Sequence, residues 1–270
     1  MKAHFYTLSI VLWCLLCIWI FAPLQVQTDT PSFINAIQIL LEDPNATIDR
    51  LMRLSKPLSL VLPTFLVYFG FSATMALILQ QYLSLCIALW AIYTLYTRFY
   101  KIEKSIVYQS LLLYISSSVI MVYAFAALND MPAWALTWCL ILYAHQIFTY
   151  KQPFLHYVVW GIIAALGMFI KESILVAGVY VFLAILLNKN KSFLQKTQIY
   201  IAIGLPFLLI LSLGFYTTKI IWGYHILDWM EFNNQDKMLL YKGESWLKLY
   251  IMHFARVFDL AWLYLPLAIF

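Results

Sequence analysis

From Tyr6 to Leu24 the chain runs for about twenty residues with scarcely a polar side chain, the length that crosses a bilayer as a helix. Runs of the same kind recur to the last residue, and short charged clusters separate them. That alternation constrains the chain more than any other feature. With 64% hydrophobic and 11% charged residues, the 270-residue chain has too few charges to cover a soluble globule, which carries about 25%. Its mean hydropathy is +0.84. No stretch shows the ten-residue alternation of a transmembrane barrel. The expectation is an all-α, polytopic transmembrane bundle forming one membrane-embedded domain over residues 1–270.

The cations are scattered through loops and form no basic face, so the net charge of +5 does not indicate a nucleic-acid binder. All four cysteines lie in apolar runs and read as small hydrophobes, not as disulfides or zinc ligands. A cleaved signal peptide would have a shorter apolar core ending at small residues. The first run ends at Phe21-Ala22-Pro23-Leu24, so an uncleaved first helix is expected.

Between this run and the next lies a polar loop, residues 25–57, with Asp29, Glu42, Asp43, Asp49, Arg50, Arg53 and Lys56. Thr30-Pro31 is a helix start, a hydroxyl cap before proline. Phe33, Ile37, Leu40 and Leu41 then recur at helical spacing. Thr47 is placed to cap a second short helix carrying Ile48, Leu51 and Leu54. Both helices are amphipathic and are expected to lie along the membrane interface. Asn45-Ala46-Thr47 also forms a short glycosylation match in this loop.

Pro63 and Gly70 divide the next apolar stretch into a short or re-entrant element, Leu58–Phe69, and a span, Phe71–Tyr96. Further spans read Ile106–Leu128, Pro132–Phe148, Leu155–Ile170, Ser173–Leu187 and Ile199–Tyr216. A last loop over residues 218–248 and a final apolar run to Phe270 follow, for roughly eight spans. His145 and Gln146 read as helix–helix contacts. Arg256 and Asp259, three apart in the final run, read as an intramembrane pair.

Charge sets the expected orientation. Lys2, Arg98, Lys101, Lys104, Lys151, Lys189, Lys191 and Lys196 fall in short loops on one side, with Glu103 their only acid. The opposite loops are longer and hold ten of the twelve acids. The cation-dense short loops and the N-terminus are therefore assigned to the cytoplasm, and Asp29 to the outer face. Asp29, Asp130 and Glu172 then stand at three successive outer turns. A shared extracytoplasmic cavity would account for a carboxylate at each.

Three motifs share that face: Asp29-Thr-Pro-Ser-Phe33 with Arg53-Leu-Ser-Lys56-Pro57, Asn129-Asp130-Met131-Pro132, and Phe169-Ile170-Lys171-Glu172-Ser173. In order and position they resemble the GT-C superfamily of integral-membrane glycosyltransferases, in particular the branch of protein O-mannosyltransferases and lipid A aminoarabinose transferases. Phe33 departs from that branch, where the residue is usually Tyr. The resemblance spans roughly residues 7–187. Family members usually continue past this length, so the chain, stopping in an apolar run, is expected to be a fragment or a shortened member.

The resemblance implies an inverting hexosyl or pentosyl transfer from a polyprenyl-phosphate sugar to a glycan, lipid or protein acceptor. Asp29, Asp130 and Glu172 would be the catalytic carboxylates, and Arg53, Lys56 and Lys171 the cations for the donor phosphate. In a metal-dependent variant a divalent ion would sit on Asp29 and Asp130. The chemistry suits these groups independently: an acceptor hydroxyl needs a positioned base, and a lipid phosphate needs cations. Lys219 and His225 open the last loop within reach of the same cavity. The residues leave open a transporter or lipid flippase, which would show internal repeats and midplane charges; neither is evident here. The cell compartment expected is a bacterial inner membrane.

Overall fold

A computed structural model of the chain describes residues 29–43, 52–115, 130–150, 152–229 and 231–232. Among these residues every regular element is helical and none is a strand. In chain order they are Thr30–Leu40 (α1), Val61–Tyr68 (α2), Ala73–Thr94 (α3), Lys104–Ile115 (α4), Asp130–Thr149 (α5), Leu155–Met168 (α6), Leu175–Leu186 (α7) and Phe193–Trp222 (α8). Two helical segments, Ala73–Phe99 and Phe193–Trp222, are long and apolar enough to cross a membrane. That is fewer than the eight spans expected, and the first and last apolar runs lie outside the described residues.

Residue spacing explains which faces are buried. α1 buries Phe33, Ala36 and Ile37 against Leu54, Leu60, Leu77 and Ile78, the i, i+3, i+4 pattern of an amphipathic helix. Its start falls one residue earlier than expected: Asp29 is the N-cap and Pro31 the second helical residue. The expected second interfacial helix does not continue through Arg53. Met52 is left-handed, with φ +50°, and Arg53–Ser55 and Pro57–Ser59 are single 3-10 turns. Thr47, Asn45 and most of that segment lie outside the described residues. α2 presents Val61, Phe65 and Tyr68 outward, consistent with a short element lying on or dipping into lipid.

α3 turns Leu77, Gln81, Ser84, Leu85 and Ala88 inward, and its small residues let α5 approach closely. α5 in turn packs on α6 and α7, with Leu140, Trp160, Val181 and Ala202 among the buried core. Trp160 Nε1 donates to the Leu140 carbonyl at 2.9 Å, which satisfies a polar group deep in this core. His145 meets Tyr100 and Tyr180, so the helix-contact reading of that residue holds.

α8 is longer than the expected Ile199–Tyr216 because both ends are well capped. Ser192 and Gln195 exchange side-chain and backbone hydrogen bonds in a capping box. Gly223, at φ +79°, ends the helix in the left-handed conformation that glycine adopts without strain. Lys219 therefore belongs to the last helical turn and not to the loop.

α8 lies against α6 at Gly161. A Cβ added there would collide with the backbone carbonyl of Ile203, which no side-chain rotation relieves. Gly161→Ala is expected to part the two helices at about 1–3 kcal/mol. Thermal unfolding in detergent should record a lower midpoint. Gly178→Ala, where a Cβ meets open space, should leave the midpoint unchanged or slightly raised.

The helices share two chemically distinct ends. Asp29, Arg53, Lys56, Asp130, Lys171, Glu172 and Lys219 gather at one, through contacts described below. Arg98 and Tyr150 meet at the other, with Nε to hydroxyl at 3.2 Å, as do Lys196 and the end of α7.

Candidate active site

Asp29 sits at the N-cap of α1, yet its carboxylate makes no capping hydrogen bond. Its backbone carbonyl accepts instead from Ser32, by N–H at 3.1 Å and by Oγ at 2.7 Å. The carboxylate is thereby left to face Arg53, 3.0 Å away. Arg53 is aimed by the same turn: its Nε donates to Ser32 Oγ at 2.9 Å, and its guanidinium lies 4.4 Å from the centre of the Phe33 ring. Phe33, where the resembling family usually has Tyr, serves here as the apolar floor beneath the cation. Asp29 is 56% exposed and Arg53 16%. The carboxylate is the accessible member of this pair.

Lys56 lies between the two 3-10 turns and is 90% buried at its side chain. Its ammonium donates to Glu172 Oε2 at 2.6 Å across 116 residues of sequence. The turn that carries it is held from below. Ser59 binds the Lys56 carbonyl through Oγ at 2.8 Å, and the Ser59 carbonyl accepts from Gln80 Nε2 at 2.9 Å. On the next residue of α3, Gln81 accepts from the Met131 backbone N–H at 2.9 Å and so fixes the first turn of α5, where Asp130 stands. Two adjacent buried amides on one helix thus set the Lys56 turn and the Asp130 helix relative to each other.

Asp130 pairs with Lys171. Lys171 is extended, at φ −166° and ψ 146°, in the short link between α6 and α7, and Glu172 begins the 3-10 turn that follows. Buried Ile174 anchors that turn. Lys171 and Glu172 are neighbours in sequence, and Arg53 and Lys56 are three residues apart. The three pairs therefore form one chain of charge: Asp29 to Arg53, Lys56 to Glu172, Lys171 to Asp130. All six residues singled out from the sequence meet at one end of the bundle, each acid on one cation.

Burial by itself would raise the Glu172 carboxyl, but the hydrogen bond and charge of Lys56 more than offset it and hold it below the usual carboxylate range. For Lys56 the balance tips the other way: burial pulls the ammonium down from the ordinary lysine value, with Glu172 opposing. The 2.6 Å separation is that of an ion pair. Since the folded Glu172 titrates lower than an unfolded glutamate, its contribution is complete above about pH 4.3 and is lost as pH falls through the folded value. Acid scans of the detergent-solubilised protein should show the unfolding midpoint dropping below about pH 4.3, and Glu172→Gln should flatten that limb.

Lys219 and His225 are held together by Asp228, which lies 3.0 Å from Lys219 Nζ and accepts the His225 backbone N–H at 2.9 Å. The next residue, Trp229, brings its ring centre 3.4 Å from Lys56 Nζ. Sequence reasoning passed over Trp229, Gln80, Gln81 and Ser32. The paired glutamines inside an apolar span were a visible signal, whereas nothing distinguished Trp229 from the nine other tryptophans. Arg256 and Asp259 lie outside the described residues. For a divalent metal the fit is poor: Asp29 and Asp130 each face a cation, and no group of three His, Cys, Asp or Glu is placed to hold an ion among the described residues.

Described residues that are all helical where regular, two helices long and apolar enough to cross a membrane, and a charged constellation at one end of the bundle are features of the integral-membrane class. More particularly, the chain belongs to the dolichyl-phosphate-mannose-protein mannosyltransferase family, whose model matches residues 58–216, more than half of its length. It is a membrane glycosyltransferase of the GT-C type. The matched region contains Asp130, Lys171 and Glu172, while Asp29, Arg53 and Lys56 precede it. Comparison with curated proteins and with solved structures finds no match.

Proposed function

We propose that this chain transfers a hexose or pentose from a polyprenyl-phosphate carrier to an acceptor at the extracytoplasmic face of the membrane, within a polytopic bundle whose N-terminus is cytoplasmic. The observation that carries the reading is the meeting of three acid–cation pairs at one bundle end in a chain of this family. A lipid-linked donor places its phosphate at the headgroup level, and groups at the end of spanning helices stand at that level.

Asp29 is the proposed general base, since it is the most exposed of the three carboxylates. Its oxygen takes the proton of the acceptor hydroxyl. The acceptor oxygen bonds to the anomeric carbon as the bond from that carbon to the phosphate oxygen breaks, which inverts the centre. The polyprenyl phosphate leaves with the bonding electron pair, and Arg53, Lys56 and Lys171 neutralise it. Arg53 has five N–H donors; Ser32 and Asp29 occupy two, which leaves the others for phosphate oxygens. Asp130 and Glu172 hold Lys171 and Lys56 in place and line the acceptor side.

Membranes containing the chain, supplied with a radiolabelled polyprenyl-phosphate sugar, should release labelled product. Control membranes should not, and Asp29→Asn should abolish most of the release. Equal release from control membranes would end the proposal.

A further inference from the structure

The segment after α8 is fastened at several points. Gly223 turns the chain back, and Trp222 and Tyr224 pack into the cluster around Phe33, Leu54 and Leu77. Ile226 is buried. Residues 226–229 are helical. His225 caps this turn, accepting the Asp228 N–H on Nδ1 at 3.3 Å, while the Asp228 carboxylate reaches back to the His225 N–H. These two contacts are the reciprocal bonds of a capping box. The same carboxylate binds Lys219 in α8. The His225 ring rests on Phe215 at 5.7 Å. Trp229 emerges from this clip directly onto the Lys56 ammonium.

Lys56 has three N–H donors. Glu172 takes one on one side, the indole face covers another side at 3.4 Å, and little of the side chain meets water. An indole face attracts an ammonium and excludes the solvent around it. Trp229 thus narrows the approach of an incoming anion to the 10% of the Lys56 side chain that stays exposed. Arg53 also rests on an aromatic face, that of Phe33, but its acid partner Asp29 is 56% exposed, against 32% for Glu172.

We infer that Trp229 is a positioning residue for Lys56: held by the Lys219–Asp228–His225 clip, it presses the ammonium onto Glu172 and controls whether an anionic group can reach it. That the anion is the phosphate of a lipid carrier rests on the proposed function; the cover itself does not.

The test is the reactivity of Lys56 toward an amine-acylating ester in the detergent-solubilised full chain, read by peptide mass spectrometry against exposed Lys101. Wild-type Lys56 should react slowly. Trp229→Ala should speed it several-fold, Asp228→Asn by less, and Trp229→Phe, which keeps an aromatic face, should stay near wild type. Exposed Lys101 normalises the reagent, an unchanged thermal unfolding midpoint shows the fold intact, and if Trp229→Ala fails to fold, Asp228→Asn carries the same prediction. Equal Lys56 reactivity in wild type and Trp229→Ala, or in wild type and Asp228→Asn where only that variant folds, overturns the inference. A polyprenyl phosphate should bind Trp229→Ala several-fold more tightly than wild type. Faster acylation with unaltered lipid-phosphate affinity would keep the cover and remove Lys56 from donor binding.

Discussion

Asp29→Asn is expected to slow sugar transfer by about 10²–10⁴-fold, the usual contribution of a positioned general base. The substitution preserves shape and removes proton affinity. It should do little to the fold for two reasons visible in the site. The side chain makes no capping bond to α1, so the helix start is carried by backbone and Ser32 contacts. The Asp29–Arg53 pair is also largely exposed on the acid side, and pairs of that kind contribute about 0–1 kcal/mol. Activity and stability should therefore separate: transfer falls steeply while the unfolding midpoint barely moves. Undiminished transfer by the folded variant would remove Asp29 from the chemistry. A parallel collapse of both quantities would mark the Asp29–Arg53 pair as a structural tie.

Lys56→Met should show the opposite coupling, losing donor use and stability together. The methionine fills much of the same volume but leaves Glu172 without its partner in a half-buried setting. Orphaning a buried charged group costs about 3–5 kcal/mol when burial is complete; with Glu172 32% exposed, about 2 kcal/mol is expected. The donor phosphate would lose a charge-assisted hydrogen bond of about 1.5–3 kcal/mol, so the apparent KM for the donor should rise at least about tenfold. The double variant Lys56→Met/Glu172→Gln separates the effects. It should recover most of the lost stability, because no unpaired charge remains, and none of the lost donor affinity. A coupling energy near zero in that cycle would show that the 2.6 Å contact does not form in the membrane.

These two expectations differ because Asp29 stands at the edge of the charge chain and Lys56 in its interior. The bundle supplies that difference through α3. Gln80, through Nε2, and Gln81, through Oε1, hold the Lys56 turn and the Asp130 helix in register, and buried hydrogen bonds of this kind resist displacement. The exposed end of the chain of charge is thus open to the proposed acceptor, while the buried end is fixed.

Much of the architecture could be read from the residues in order. Apolar length announced a helical membrane protein, and the helical spacing of Phe33, Ile37, Leu40 and Leu41 announced α1, although of these only Phe33 and Ile37 are buried, with Ala36 beside them. Alternating polar turns indicated that Asp29, Asp130 and Glu172 belong to one end. These inferences succeed because helix formation, capping and membrane insertion depend on neighbours within a turn or a span. Local spacing was less reliable at helix ends. Met52 in the left-handed region ended one expected helix, and a capping box with Gly223 lengthened another, since termini depend on a few hydrogen bonds that compete closely.

The partnerships belong to the tertiary structure alone. Arg53 and Lys56 lie three residues apart with similar charge, yet one meets Asp29 on the same loop and the other meets Glu172 across 116 residues. Nothing in the spacing selects between them, because a Coulomb attraction has no sequence direction and is satisfied by whichever acid packing brings near. Trp229 is the same case: an indole becomes the cover of a cation only where the close of α8 and the Asp228 clip deliver it. Chain chemistry decided which groups would stand at one end of the bundle; packing decided which of them touch, because only packing sets distances between segments far apart in the chain.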